Sequence, residues 1–198
     1  MYLYVEGGGD RSEQQTRCRE GFRRLLEKAG FTDRMPRIVA GGGRGTTFDK
    51  FKTALRANSG DRAIILLVDS EEPVTQTPWV HLHARDGWRR PANATDDQAQ
   101  FMVTCMETWL MADRTALRGF FGAALNANAL LPLNNLEQRP RQDVQQALED
   151  ATWPCGRDRQ YEKGRRSYQV LAALDPATLR QYLPHFVRFV ETLNHYMQ

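Results

Sequence analysis

Residues 62–68, RAIILLV, hold six consecutive apolar residues and run into an acid-rich turn, Asp69-Ser70-Glu71-Glu72. A run that apolar is a strand covered on both faces, as the inner strands of parallel sheets are. Two shorter runs precede it. MYLYV (residues 1–5) stops at Glu6-Gly7-Gly8-Gly9, and MPRIVA (35–40) stops at Gly41–Gly45. Between the first two runs, Cys18, Phe22, Leu25, Leu26 and Ala29 recur at helical spacing over residues 12–29, with Gly30 as the closing cap. Between the second and third, Phe48, Phe51 and Leu55 mark another helix, with Thr46 or Thr47 expected at its N-cap. The order β-α-β-α-β predicts an α/β fold built on a mostly parallel sheet.

Past Pro73 the periodicity loosens. Residues 74–98 read as a long loop, residues 101–105 as a fourth strand, and residues 106–121 as one helix with Met106, Trp109, Leu110, Leu117, Phe120 and Phe121 on its apolar face. Helices are expected over 141–151, 167–174 and 184–196, with Asp175-Pro176 starting another. This organisation is read as one domain over residues 1–198, with an α/β core (1–105) and a helical extension packed on it (106–198).

The chain has 198 residues, enough for its own apolar core. It offers no stretch of about 20 apolar residues. The opening MYLYVEGGGD lacks the basic-then-apolar order of a signal peptide. Cys18, Cys105 and Cys155 are odd in number and show no C-x-x-C pairing, against both a disulfide framework and a zinc site. These features together predict a cytoplasmic protein. Net charge is only +3, yet the bases gather in RCREGFRR, RDGWRRP and GRDRQYEKGRR. Acidic spots among basic stretches suit a protein that holds cations and polyanions together.

Ligands of open α/β sheets sit outside the carboxyl ends of the strands. Glu6 and Asp10 follow the first strand, and Asp69 and Glu71 follow the third. If residues 69–71 stay extended, Asp69 and Glu71 point the same way. Oxygen-only ligation of this kind suits Mg²⁺ or Mn²⁺. Several other patterns are incomplete. No G-x-x-x-x-G-K-[ST] exists, so the chain is not a P-loop ATPase, and Ser12 breaks G-x-G-x-x-G. His81 and His83 lack a third zinc ligand and are expected at the surface. Trp79 and Trp88, interleaved with Arg85, Arg89 and Arg90, suit either a base-stacking surface or anchorage of the loop to the core.

VEGGG with Glu6, and LLVDSE with Asp69 and Glu71, resemble the TOPRIM (topoisomerase–primase) domain, whose signature is a Glu after an early strand and D-x-D after a later one. Here the second acid is Glu71, which keeps the charge and lengthens the arm. A broader resemblance runs through VEGGGD, LVDSE, FMVTCMETWLMAD and YEKGRRSYQVLAALDP, which look like the bacterial family named domain of unknown function 4276. That resemblance implies a TOPRIM-like fold, kinship with nucleases of the overcoming-lysogenization-defect type, and an AAA-type ATPase partner in a phage-defence locus. It also directs attention to Glu107 as a further metal ligand, and to Lys163, Arg165 and Arg166 as phosphate-binding bases. Asp113 lies about 240° around an ideal helix from Glu107 and is expected to order local structure instead.

Together these readings predict a metal-dependent nuclease. Glu6, Asp69 and Glu71 are the expected catalytic acids, with Asp10 and Glu107 completing a shell for one or two Mg²⁺ (or Mn²⁺) ions. Lys163 would offset charge on the transferring phosphoryl group, and Arg89, Arg90, Lys163, Arg165 and Arg166 would hold nucleic acid, DNA or RNA. The rival is a non-catalytic subunit that senses nucleic acid or a nucleotide and regulates an AAA ATPase. Oligomeric state stays open, a homo-oligomer included.

Overall fold

The computed structural model describes residues 1–58, 60 and 62–197. Four parallel strands, β1 (Tyr2–Val5), β2 (Arg37–Ala40), β3 (Ile64–Asp69) and β4 (Ala99–Met102), form one sheet in the order β2-β1-β3-β4. In register, Val5 lies beside both Ala40 and Leu67, while Asp69 lies beside Met102. The α/β class and parallel sheet expected from the sequence are those observed, in a Rossmann-like arrangement with a C-terminal set of helices. Among the described residues, no helix is long and apolar enough to cross a membrane.

All six residues of β3 are buried, and their alternation divides the core. Ile65 and Leu67 join an apolar cluster with α1 (Ser12–Leu26), α4 (Met106–Ala112) and the later helices α7 (Arg165–Ala173), α8 (Pro176–Tyr182) and α9 (Pro184–Tyr196). Ile64, Leu66 and Val68 face the other way, onto α2 (Arg44–Ala57) and α3 (Pro78–Asp86). Period-two side-chain alternation in one strand thus serves two layers of helices. Trp109 of α4 anchors the larger cluster, edge-on to Phe186 at 5.0 Å and near Phe22 at 6.3 Å between centroids.

Several boundaries differ from the sequence reading. Residues 74–98 contain α3, which carries Pro78 in its first turn and Gly87 in the left-handed conformation at its end. Trp79 stacks near Phe48 and Phe51 and donates its indole N–H to the Thr95 carbonyl, and Trp88 stacks on Phe48 at 4.1 Å. The aromatic residues therefore tie this segment to the core. His81, expected at the surface, is buried within hydrogen-bond distance (2.9 Å) of the Ser70 carbonyl. The fourth strand lies two to three residues earlier than expected.

The predicted 106–121 helix breaks at Asp113 into α4 and α5 (Arg114–Phe121). Asp113 accepts from the Ala116 N–H at 2.9 Å and the Asp175 N–H at 2.8 Å, so its carboxylate satisfies a helix end and fixes the approach to α8. Asp175 itself caps α8 as its D-P pattern implies. Helix α2 begins with Gly43 at the cap, ahead of Thr46 and Thr47, while α6 (Arg141–Thr152) follows expectation closely.

Candidate active site

Strand order reverses between β1 and β3, because the chain leaves β1 for β2 on one side and later places β3 on the other. The crevice outside the carboxyl ends of those strands is where open α/β sheets bind ligands. A cavity of about 310 Å³ lies there, with Glu6, Asp69, Glu107 and Lys163 in its wall beside Gly8, Gly43 and Tyr168. A larger open groove of about 680 Å³ runs between α1 and β2. It is lined mainly by solvent-facing side chains such as Arg23 and Glu20, so the smaller cavity is the one built for chemistry.

Glycine lets the first loop reach this position. Gly7 has φ +136°, and a Cβ there would meet the Tyr168 hydroxyl at 2.6 Å. Gly7 and Gly42 exchange backbone hydrogen bonds, each 2.9 Å, which zip the two glycine-rich loops together. The Gly8 N–H donates to the Tyr168 hydroxyl oxygen at 2.6 Å. Backbone is thereby brought to the cavity wall, and Glu6 is held beside β3.

Each of the three carboxylates is anchored through one oxygen. Glu6 Oε2 accepts from the Asp69 N–H at 3.2 Å and from Arg44 Nη1 at 3.1 Å. Asp69 Oδ1 accepts from the Met106 N–H at 2.9 Å, tying the end of β3 to the start of α4. Glu107 Oε1 accepts from the Tyr161 hydroxyl at 2.6 Å. Among the described residues, Glu6 Oε1 and Asp69 Oδ2 make no hydrogen bond. Glu107 is 1% exposed, and its Oε2 is buried with no partner.

Asp69 registers this crowding. Burial first, then the charges of Glu6 and Glu107, push its carboxyl up to about 8, against the opposing pull of Lys163 and Arg141.

Glu71 has a different environment. It lies just past β3 with φ +69°, so the segment is not extended, and the expected shared direction of Asp69 and Glu71 does not come from strand alternation. One of its oxygens still lies within 4.8 Å of oxygens from Glu6 and Asp69. Its Oε2 is paired with both Arg85 and Arg141. Asp10 is exposed and outside the cavity wall.

The basic candidates divide as well. Lys163 lines the cavity, and Arg165 is exposed in the first turn of α7, two residues along. Arg166 is committed to its own loop, donating to the carbonyls of Gln160 and Asp158 and pairing with Glu162. Arg89 and Arg90 are exposed, with Arg89 bordering a separate depression beside Phe48 and Lys52.

Sequence reasoning did not single out Arg44, Asp86, Arg141, Tyr161 or Tyr168. The signal for Arg44 was its place within Gly41–Gly45, where an arginine interrupts glycines at a strand end. Tyr161 opens the YEKGRRS segment that supplies Lys163.

In comparisons with curated proteins and with solved structures, nothing matches the chain. A family model, Domain of unknown function (DUF4276), matches residues 5–194, a span that contains every one of the residues above. The chain belongs to that family.

Proposed function

We propose that the protein is a divalent-cation-dependent phosphodiesterase acting on nucleic acid. The observation that carries this reading is Glu107 Oε2, a buried carboxylate oxygen without a partner in the wall that also holds Glu6 and Asp69. An uncompensated buried carboxylate costs several kcal/mol, roughly. Glu6 and Asp69 share that wall, each with one oxygen that makes no hydrogen bond among the described residues, and an oxygen-only donor set favours Mg²⁺ or Mn²⁺ over softer metals.

Glu6 and Asp69 would hold the ion, with Glu107 in the same cavity wall and an oxygen of Glu71 within 4.8 Å of theirs. When bound, it would supply Lewis-acid polarisation of a phosphate oxygen and an activated water. The remaining work falls to the chain itself. Lys163 offsets negative charge on the reacting phosphate. Glu71, engaged by two arginines, keeps Arg85 and Arg141 beside the acidic edge. Arg165, and more remotely Arg89 and Arg90, attract the polyanion in a salt-dependent way. Positions of Glu6 and Asp69 after adjacent parallel strands support a TOPRIM-like ancestry and kinship with overcoming-lysogenization-defect nucleases. The AAA-type ATPase partner and defence role rest on the resemblance of the sequence motifs.

The test is cleavage of labelled single- and double-stranded DNA and RNA by wild type, Glu6→Gln and Asp69→Asn, with Mg²⁺ and with chelator. Activity in wild type with metal, lost with chelator and in both variants, is expected. Cleavage that persists with chelator, or that survives both substitutions, contradicts the reading.

A regulatory subunit without catalysis is the second reading, favoured by one observation. Trp153 is 73% exposed in the turn that follows α6, and tryptophan is enriched where proteins meet. Stimulation of an associated ATPase by a chain that cleaves nothing, lost in Trp153→Ala, would select it.

A further inference from the structure

Glu6 is the end of an unbroken chain of alternating charges. Arg141 pairs with Glu71, Glu71 with Arg85 (3.4 Å), Arg85 with Asp86, Asp86 with Arg44 (2.7 Å), and Arg44 with Glu6 (3.1 Å). Three guanidiniums and three carboxylates run from the first residue of α6, through the end of α3 and the start of α2, to the end of β1. The acidic edge therefore has two flanks. One faces the cavity, with Glu107 and Lys163, and the other is filled by arginines.

We propose that the cavity takes a single divalent cation and that Arg44 stands in for a second, a proposal that rests on the cation-dependent reading above. In two-metal sites the ions lie about 3.5–4 Å apart, flanking the attacking and leaving oxygens. A carboxylate shared by two ions gives one oxygen to each. Glu6 is divided in this way, with Oε2 given to Arg44 and Oε1 left without a protein partner.

Arg44 is held too firmly to be a casual neighbour. Its Nε and Nη2 form a fork onto the two oxygens of Asp86, at 2.9 and 2.7 Å, its Nη1 also donates to the Asp69 carbonyl, and its guanidinium lies 5.0 Å from the centre of the Trp88 ring. A second ion on Glu6 Oε2 must displace all of this. Glu71 gives its Oε2 to Arg85 and Arg141, so two more guanidiniums occupy the same flank. Because a guanidinium stays protonated at any working pH, the stand-in charge is permanent and no chelator removes it.

The test counts Mn²⁺ bound per chain, by electron paramagnetic resonance of the free ion and by calorimetry, in wild type, Arg44→Gln and Asp86→Asn. One ion in wild type and two in Arg44→Gln are expected. Asp86→Asn, which loosens the fork while leaving Glu6 intact, is expected to admit a second ion too and carries the test if the Arg44 variant does not fold. Two ions in wild type overturn this proposal and leave the cation reading standing, as does a count fixed at one in both variants. No ion in wild type removes the cation reading and this proposal with it.

Discussion

Tyr161 donates its hydroxyl hydrogen to Oε1 of Glu107 at 2.6 Å, across 54 residues of chain, and leaves Oε2 of the same carboxylate buried and alone. The bond fixes Glu107 in the cavity wall without neutralising it. Tyr161 is itself tied to α6, where its N–H donates to the Thr152 hydroxyl at 2.9 Å. The C-terminal helices thus set the position of an acid that the α4 backbone supplies. A carboxylate so placed is costly alone and useful with a cation, which makes opposite effects of one substitution the sharpest expectation.

Glu107→Gln keeps the shape and an acceptor for Tyr161 while removing the charge. In chelator the variant should be more stable than wild type, by about 1–2 kcal/mol, as expected when a buried uncompensated charge is neutralised. Its stabilisation by Mn²⁺ should fall at least about tenfold in apparent affinity, about 1.4 kcal/mol. Thermal melts across a Mn²⁺ series read both. A variant less stable in chelator, yet still stabilised by Mn²⁺ as wild type is, contradicts the placement of Glu107.

The raised Asp69 carboxyl predicts a pH dependence with a definite sign. Unfolded, the group ionises near 3.8, and folded near 8, so between those values the native chain keeps a proton that the unfolded chain has lost. Stability without metal should therefore be greatest, in this contribution, below about pH 4 and decline as pH rises towards 8. Asp69→Asn should remove that decline. Cation binding at pH 7 should release close to one proton, which calorimetry in buffers of different ionisation enthalpy measures.

Gly7→Ala should lower stability by about 2 kcal/mol, since it adds a Cβ at positive φ and drives it against the Tyr168 hydroxyl. In Tyr168→Phe the clashing oxygen is gone, at the cost of the Gly8 hydrogen bond. The double variant should be more stable than the sum of the two single losses allows. Denaturant unfolding of the four proteins gives the coupling energy directly.

Lys163 is exposed at the cavity rim. Lys163→Ala should leave stability within about 0.5 kcal/mol of wild type. Cleavage should nonetheless fall by about 10²-fold or more, the scale of losing one electrostatic contact to the transition state. Arg165→Ala should instead weaken nucleic-acid binding and reduce its salt dependence, read by titration at several ionic strengths. Equal and small effects of both substitutions on cleavage would place Lys163 with the general basic surface.

The parallel sheet was legible because β3 is apolar at every position before Asp69 and the first three strands run into glycine or acid, local signals that need no tertiary partner. Glu6 and Asp69 followed from the rule that such sheets bind at their carboxyl edge. What stayed hidden was set by contacts distant in sequence. Arg44 acquires its role from Asp86, 42 residues away on a helix that the prolines, histidines and tryptophans of 74–98 disguised as a loop. The break at Asp113 was masked because apolar spacing continues through it, while the cause is a carboxylate drawn to the Asp175 N–H, 62 residues on. Glu71 had the expected charge, but its left-handed backbone and paired arginines give it a different surrounding from Asp69.

The central claim is that Glu6 and Asp69, with Glu107 in the same cavity wall, form a divalent-cation site at the carboxyl edge of the sheet. Diffraction from Mn²⁺-soaked crystals, recorded where manganese scatters anomalously, tests it most directly. The account predicts one strong peak in the cavity, within about 2.0–2.6 Å of carboxylate oxygens from Glu6 and Asp69, and none on the side of Glu6 that faces Arg44. A cavity with no peak at saturating Mn²⁺, or a peak bound elsewhere on the chain with Glu6 and Asp69 untouched, would contradict it.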